Sequence, residues 1–204
     1  MSYEIINVEQ GTDEWFNTRL GKVTASIFSK VVTKAGKPSA SMEGVINNAV
    51  AEMILGKPQD EMFQSYYMQR GNELEGEALD LFNFCTDSEF QKVGFLDSGK
   101  GYGCSPDGLN EKIKQGLELK CPAAHTHVGY LSGGGLPKDY FQQVQFSLIV
   151  SGFEYWSFGS YHPDLPVFIH KEPRDEKFIK LAMPILDECV GLIKERYEKI
   201  KALM

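Results

Sequence analysis

The sequence predicts a layered α/β or α+β domain in which a sheet of about five strands is flanked by helices. Three observations lead there. Apolar residues recur at helical spacing in 42–55 and again in 175–203. Short apolar runs at 91–96, 102–105, 117–121, 154–161 and 167–170 are bounded by turn-forming residues, as strands are. The 204 residues, 42% of them hydrophobic and 24% charged, suit one compact core, so a single domain over residues 1–204 is expected.

Taken in order, residues 4–8 read as a short strand or extended arm. Thr12 or Asp13 then caps a helix that buries Trp15, Phe16 and Leu20 before Gly21 ends it. A second helix is expected from Thr24, with Ile27, Phe28, Val31 and Val32 inward. Thr24, Ser26 and the amides of a helix start can hold a phosphate with Arg19 beside it, though a plain cap and a surface arginine is the commoner meaning of such a pattern. Residues 33–41 form a polar loop with two lysines, either solvated or following a DNA backbone. Met42–Leu55 reads as a helix closed by Gly56.

The longest central helix candidate lies within 63–84 and starts near Arg70. Leu74, Ala78, Leu81 and Phe82 face the core, while Glu73, Glu75, Glu77 and Asp80 face water. The stretch after Pro122, through Gly133-Gly134-Gly135, reads as a loop. A helix at 139–151 buries Tyr140, Val144, Leu148 and Ile149 and leaves Gln142, Gln143 and Gln145 on a polar face. A long helix closes the chain over 175–203, and Pro184 is expected to kink or split it.

Chemistry concentrates between Ser105 and Lys120. Asp107 follows a Ser-Pro pair, and in a strand at 116–121 the period of two puts Glu118 and Lys120 on one face and Leu117 and Leu119 on the other. Two carboxylates from neighbouring strands suit Mg²⁺, which prefers oxygen ligands and keeps waters, and a lysine can hold a metal-bound hydroxide and offset charge on a phosphate. The plain alternative is a tight Ser-Pro-Asp-Gly turn beside a solvated edge strand. From composition alone such a spacing should arise in roughly one chain of this length in twenty. A glutamate of the central helix turned toward Asp107, or a glutamine of 139–151 turned toward the phosphate, would add to the site.

The formal charge of −7 argues against a nonspecific nucleic-acid coat protein, so any DNA contact must use local positive charge. Cys85, Cys104, Cys121 and Cys189 form no C-x-x-C pair, and reduced thiols are expected. No basic-then-apolar leader opens the chain, and no stretch nears the roughly 20 apolar residues of a membrane helix, so a soluble intracellular protein is expected.

Several ordered motifs together resemble the phage lambda exonuclease family, the YqaJ-type viral recombinases of the PD-(D/E)xK nuclease superfamily. They are Trp15 with Arg19-Leu20-Gly21 and Thr24-Ala25-Ser26, Gly71 through Phe84, Cys104 through Leu109, Gly116 through Pro122, Gln143-Val144-Gln145, and Arg174 through Lys177. The resemblance implies a restriction-endonuclease-like mixed sheet. It also implies a processive 5′-to-3′ exonuclease on linear duplex DNA, acting in the cytoplasm of a bacterial host and encoded by a phage or prophage. It implies a ring-shaped homotrimer that works with a single-strand annealing protein, without a membrane. Two Mg²⁺ ions, replaceable by Mn²⁺, would bind Asp107, Glu118 and the Leu119 carbonyl, and Lys120 would position the nucleophile. Glu75 matches the carboxylate near the second metal, and Gln143 the glutamine near the scissile phosphate. Arg19, Thr24 and Ser26 match the 5′-phosphate pocket, and Met68 the apolar wedge that splits the terminal base pair. A homotrimeric ring could also line its channel with basic residues while its outside stays acidic.

Three other readings stay open: an endonuclease of the same superfamily, a non-cutting DNA-end scaffold, and a zinc or iron–sulfur site using His125, His127 and Cys121 or Cys104. The last lacks a closed tetrahedral set in the sequence.

Overall fold

Eight strands, rather than about five, make up the β structure of this computed structural model, which describes residues 3–59 and 66–204, the side chains of 66–69 and 72 excepted. They form two four-stranded mixed sheets. In the first, β1 (Glu4–Ile6), β3 (Phe95–Asp97), β4 (Tyr102–Cys104) and β2 (Val23–Thr24) lie side by side in that order, with β2 parallel to β4. In the second, the order is β5 (Gly108–Asn110), β6 (Gln115–Lys120), β7 (Tyr155–Ser160) and β8 (Phe168–Pro173), with β6 parallel to β7. The three extra strands are β1, where residues 4–8 read as either a strand or an extended arm, β2, of two residues, and β5, of three, all too short to carry an alternating pattern.

Among the described residues six α-helices surround the sheets: α1 (Asp13–Arg19), α2 (Met42–Leu55), α3 (Tyr66–Thr86), α4 (Ala124–Gly133), α5 (Phe141–Ser151) and α6 (Glu176–Lys201). Thr12 caps α1 by accepting from the Trp15 amide, and Asp175 caps α6 by accepting from the Lys177 and Phe178 amides. Leu117 and Leu119 of β6 pack with Ala78, Leu79 and Phe82 of α3, so the apolar half of the strand's alternation is anchored against that helix. Phe146 of α5 meets Phe28 at 4.5 Å and Tyr102 of β4 at 6.0 Å between ring centroids, which ties α5 to the first sheet.

Four expectations are corrected. Thr24 does not start an α-helix: it lies in β2 and caps a 3-10 turn over Ala25–Lys30. The stretch after Pro122 is helix α4 rather than a loop, closed by Gly134 at φ 67°. Gln142 and Gln145 are buried, not solvated. Gln142 donates to the Val32 carbonyl at 2.5 Å, while Gln145 donates to the Pro173 carbonyl and accepts from the Asp175 amide, each at 2.9 Å. Helix α6 is not split at Pro184, because the missing amide would have bonded Lys180, and both residues are solvent-exposed, where water serves the freed carbonyl. Among the described residues no helix is long and apolar enough to cross a membrane.

Candidate active site

Strand pairing brings the carboxylates together. In the antiparallel β5–β6 pair Gly108 faces Leu117, so Asp107, one step earlier, falls opposite Glu118 on the same face of the sheet. The Asp107 amide donates to the Leu117 carbonyl at 3.0 Å, and its Oδ2 accepts from the Leu119 amide at 2.6 Å. Glu118 is 3% exposed, deep enough that its charge needs partners. It has two: Lys120 Nζ and Gln143 Nε2, each 2.5 Å from Glu118 Oε1. Gln143 comes from the first turn of α5, the one glutamine of that helix turned to the site. Tyr140, in the 3-10 turn leading into α5, places its ring 5.5 Å from Lys120 Nζ.

Electrostatics follow from this crowding. Burial, then Glu118, with Glu75 adding to them, pushes the Asp107 carboxyl up to about 7, against the opposing pull of Lys120. For Lys120 burial works against the charge, but Glu118 and Asp107 outweigh it and hold the ammonium above its ordinary range. Glu75 of α3 stands close enough to act on Asp107, and it is ion-paired with Lys92 at 2.8 Å. Three carboxylates against Lys120 and Lys92 leave an excess of negative charge, which is the condition a divalent cation relieves. The donor chemistry fits: hard carboxylate oxygens flank the Leu119 backbone, and no soft ligand is required.

Among the described residues no three His, Cys, Asp or Glu side chains form a ready cation cage. The zinc arrangement is not assembled either. His127 is fully buried, with Nδ1 2.7 Å from Ser160 Oγ and Nε2 2.9 Å from the Pro166 carbonyl, and His125 is exposed. Met68 lies in α3, but its side chain is outside the described residues.

Arg19, Thr24 and Ser26 do come together. Arg19 Nη2 reaches Thr24 Oγ1 at 3.5 Å, and Thr24 Oγ1 lies 3.3 Å from Ser26 Oγ. All three line a cleft of about 840 Å³ between α1, the 3-10 turn and α2, with Lys22 and Lys30 on its wall. Burial lowers the Arg19 pKa to about 10, leaving it charged at neutral pH. Its guanidinium lies 3.8 Å from the centroid of the Trp15 ring.

Trp15 also joins the two sites, a role its sequence position does not reveal. Its Nε1 donates to Ser105 Oγ at 2.8 Å and to the Gly94 carbonyl at 3.2 Å, and Ser105 stands two residues before Asp107. Gln10 pins the same segment, donating to the Pro106 carbonyl at 2.9 Å. Tyr140 beside Lys120 and Glu52 on the cleft wall were also missed. The Tyr140 pattern reads as core, and Glu52 reads as the wet side of α2.

The family model for the YqaJ-like viral recombinase domain matches residues 14–154. Among solved structures the chain is similar to an alkaline exonuclease from Laribacter hongkongensis, at 30% identity and a TM-score of 0.82 over 94% of this chain and 97% of that one. A structure of that exonuclease in complex with dAMP aligns at 30% identity and a TM-score of 0.80, with the same coverage. A phage-related exonuclease from Haemophilus somnus 129PT shares the fold at 16% identity and a TM-score of 0.65, over 90% of this chain and 96% of that one. No curated protein sequence matches. Since the family model spans more than half of the chain and includes Asp107, Glu118, Lys120 and Gln143, the protein belongs to the YqaJ-like viral recombinase domain family.

Proposed function

We propose that the protein is a Mg²⁺-dependent exonuclease that digests one strand of linear double-stranded DNA processively from its 5′ end, leaving 3′ single strand for annealing recombination. The observation that carries this reading is that Asp107, Glu118, Lys120 and Gln143 meet at one end of a sheet while a cleft carrying Arg19, Thr24 and Ser26 is joined to them through Trp15 and Ser105. The likeness to an alkaline exonuclease at 30% identity supports the reaction class.

Asp107, Glu118 and the Leu119 carbonyl would hold Mg²⁺, with Glu75 serving a second ion, and Mn²⁺ can substitute. Bound there, the metal supplies a more acidic water and neutralises charge on the phosphate. The chain's own groups do the rest. Lys120, kept charged by Glu118 and Asp107, holds the nucleophile and stabilises negative charge building on phosphate oxygens. Gln143 orients the scissile phosphate or the attacking water through an amide already steered by Glu118. Arg19, Thr24 and Ser26 bind the terminal 5′-phosphate, and Met68 is assigned to the wedge.

A homotrimeric ring around duplex DNA, working with an annealing protein in the cytoplasm, completes the reading. It lets a chain of net charge −7 present its lysines and arginines inward. The test is digestion with Mg²⁺ of a linear duplex carrying a 5′-phosphate at one end and a 5′-hydroxyl at the other, beside a closed circle and Lys120→Ala. Loss of the phosphorylated strand from its 5′ end, an intact circle and an inactive variant are expected. Cutting of the circle would point to an endonuclease, and no cutting by the wild type to a binding scaffold.

A further inference from the structure

The phosphate cleft contains a carboxylate that phosphate binding does not call for. Glu52, in the last turn of α2, lines the same cleft as Arg19, Thr24 and Ser26. Its position is fixed at both oxygens: Oε2 accepts from the Gly21 amide at 3.1 Å, and Oε1 accepts from Asn48 Nδ2 at 3.2 Å. Gly21 holds φ +69° two residues after Arg19, so Glu52 is tied to the turn that follows the arginine. It is also near enough to Arg19 to favour the arginine's charge. A dianionic phosphate entering the cleft therefore meets Arg19's attraction and Glu52's repulsion together.

We infer that Glu52 is a specificity-determining residue that limits how tightly the cleft grips the 5′-terminal phosphate, so that the mononucleotide carrying that phosphate is released after each cut. The inference rests on the proposed exonuclease reading. Each cut leaves the old 5′-phosphate in the cleft on the cleaved mononucleotide and creates a new one on the shortened strand, and a cleft lined only with positive charge would hold the mononucleotide long enough to slow entry of the new end. A fixed countercharge weakens the bound state while keeping Arg19 ionised and in place when the cleft is empty of phosphate. The hydrogen bonds of Glu52 go to Gly21 and Asn48 and not to Asp107, Glu118 or Lys120, so it acts on binding and release rather than on bond cleavage.

Glu52→Gln removes the charge while the amide oxygen can still accept from Gly21. The measurements are anisotropy of a 5′-phosphorylated and a 5′-hydroxyl duplex in EDTA, and steady-state digestion of both with Mg²⁺. Expected are about three- to tenfold tighter binding of the phosphorylated end only, with KM and kcat both reduced on it, the range set by one nearby charge in a half-screened site. Weaker phosphate binding with kcat unchanged would overturn the inference and make Glu52 a mere support of the Gly21 turn. A melting temperature matching the wild type excludes misfolding, and Glu52→Asp, which keeps the charge, is expected to stay near wild type in phosphate discrimination. If wild type itself does not distinguish the two ends, the phosphate-cleft reading fails and this inference with it. If wild type discriminates and Glu52→Gln does not tighten, the inference alone fails.

Discussion

Replacing Asp107 by Asn should make the metal-free protein more stable at neutral pH, although it removes a residue assigned to the reaction. The carboxyl ordinarily titrates at 3.8 and is pushed to about 7 here by burial and by Glu118. A folded-state pKa above the unfolded one means that the proton stabilises the fold. That contribution is complete below about pH 4 and is lost as pH rises toward and through about 7. At roughly 1.4 kcal/mol per pH unit the displacement corresponds to at most about 4 kcal/mol. Asp107 is partly reached by water, so about 2 kcal/mol is the expected size, or about 4–8 °C in melting temperature for a chain of this length. The asparagine oxygen can still accept from the Leu119 amide, which preserves the local geometry. Calorimetry in EDTA should show Asp107→Asn melting above wild type at about pH 8, with the gap shrinking toward about pH 5. Mg²⁺ should then raise the wild type and narrow the gap at the higher pH, because it binds only the folded carboxylates. A gap that is absent, or equal at both pH values, would refute the idea that the two carboxylates are held together against their repulsion.

Three further outcomes test the packing that supports the site. Gly116→Ala puts a Cβ 2.2–2.4 Å from the fully buried Trp156 ring, so β6 or the ring must shift. About 1–3 kcal/mol of destabilisation is expected in urea unfolding, and no measurable loss would show that the ring has room to move. Gln145→Ala strands the Pro173 carbonyl and the Asp175 amide, at a cost of about 2–3 kcal/mol, with faster amide exchange in the first turn of α6 as the readout. Gly191→Ala, in an exposed part of α6 where an added Cβ meets nothing within 4 Å, should stabilise by about 0.5–1 kcal/mol in the same urea assay.

How much of this was legible depends on whether a feature is local. The alternation Leu117, Glu118, Leu119, Lys120 declares both the strand and its charged face, and the structure keeps it, with the leucines against α3. Helix α2 is equally plain, with Gly56 in the left-handed conformation at its end. Strand β5 is not legible, because Ser-Pro-Asp-Gly is turn chemistry and only the pairing of Gly108 with Leu117 makes it a ladder. Helix α4 has little apolar periodicity and runs into glycines. Its hold comes from His127, which reaches Ser160 and Pro166 from other parts of the chain. The glutamines of α5 look alike in sequence, yet Gln142 and Gln145 serve backbone groups in the core and only Gln143 meets Glu118. Which one points where is set by the rotation of α5 over the sheets, and that is a tertiary fact.

The link from Trp15 to Ser105 spans 90 positions of sequence and bears most directly on how the two subsites would work together. Arg19 stacks on the ring, the ring's N–H holds Ser105, and Ser105 lies two positions before Asp107, no more than about 7 Å of chain. The proposed phosphate subsite and the first carboxylate are therefore referenced to one short segment, which Gln10 also clamps at Pro106. A displacement of that segment would carry Arg19 and Asp107 together and preserve their spacing. A fixed spacing is what an enzyme needs if it is to bind the new end and place the next bond in register after each cut, and a flexible connection between them would lose that register at every step.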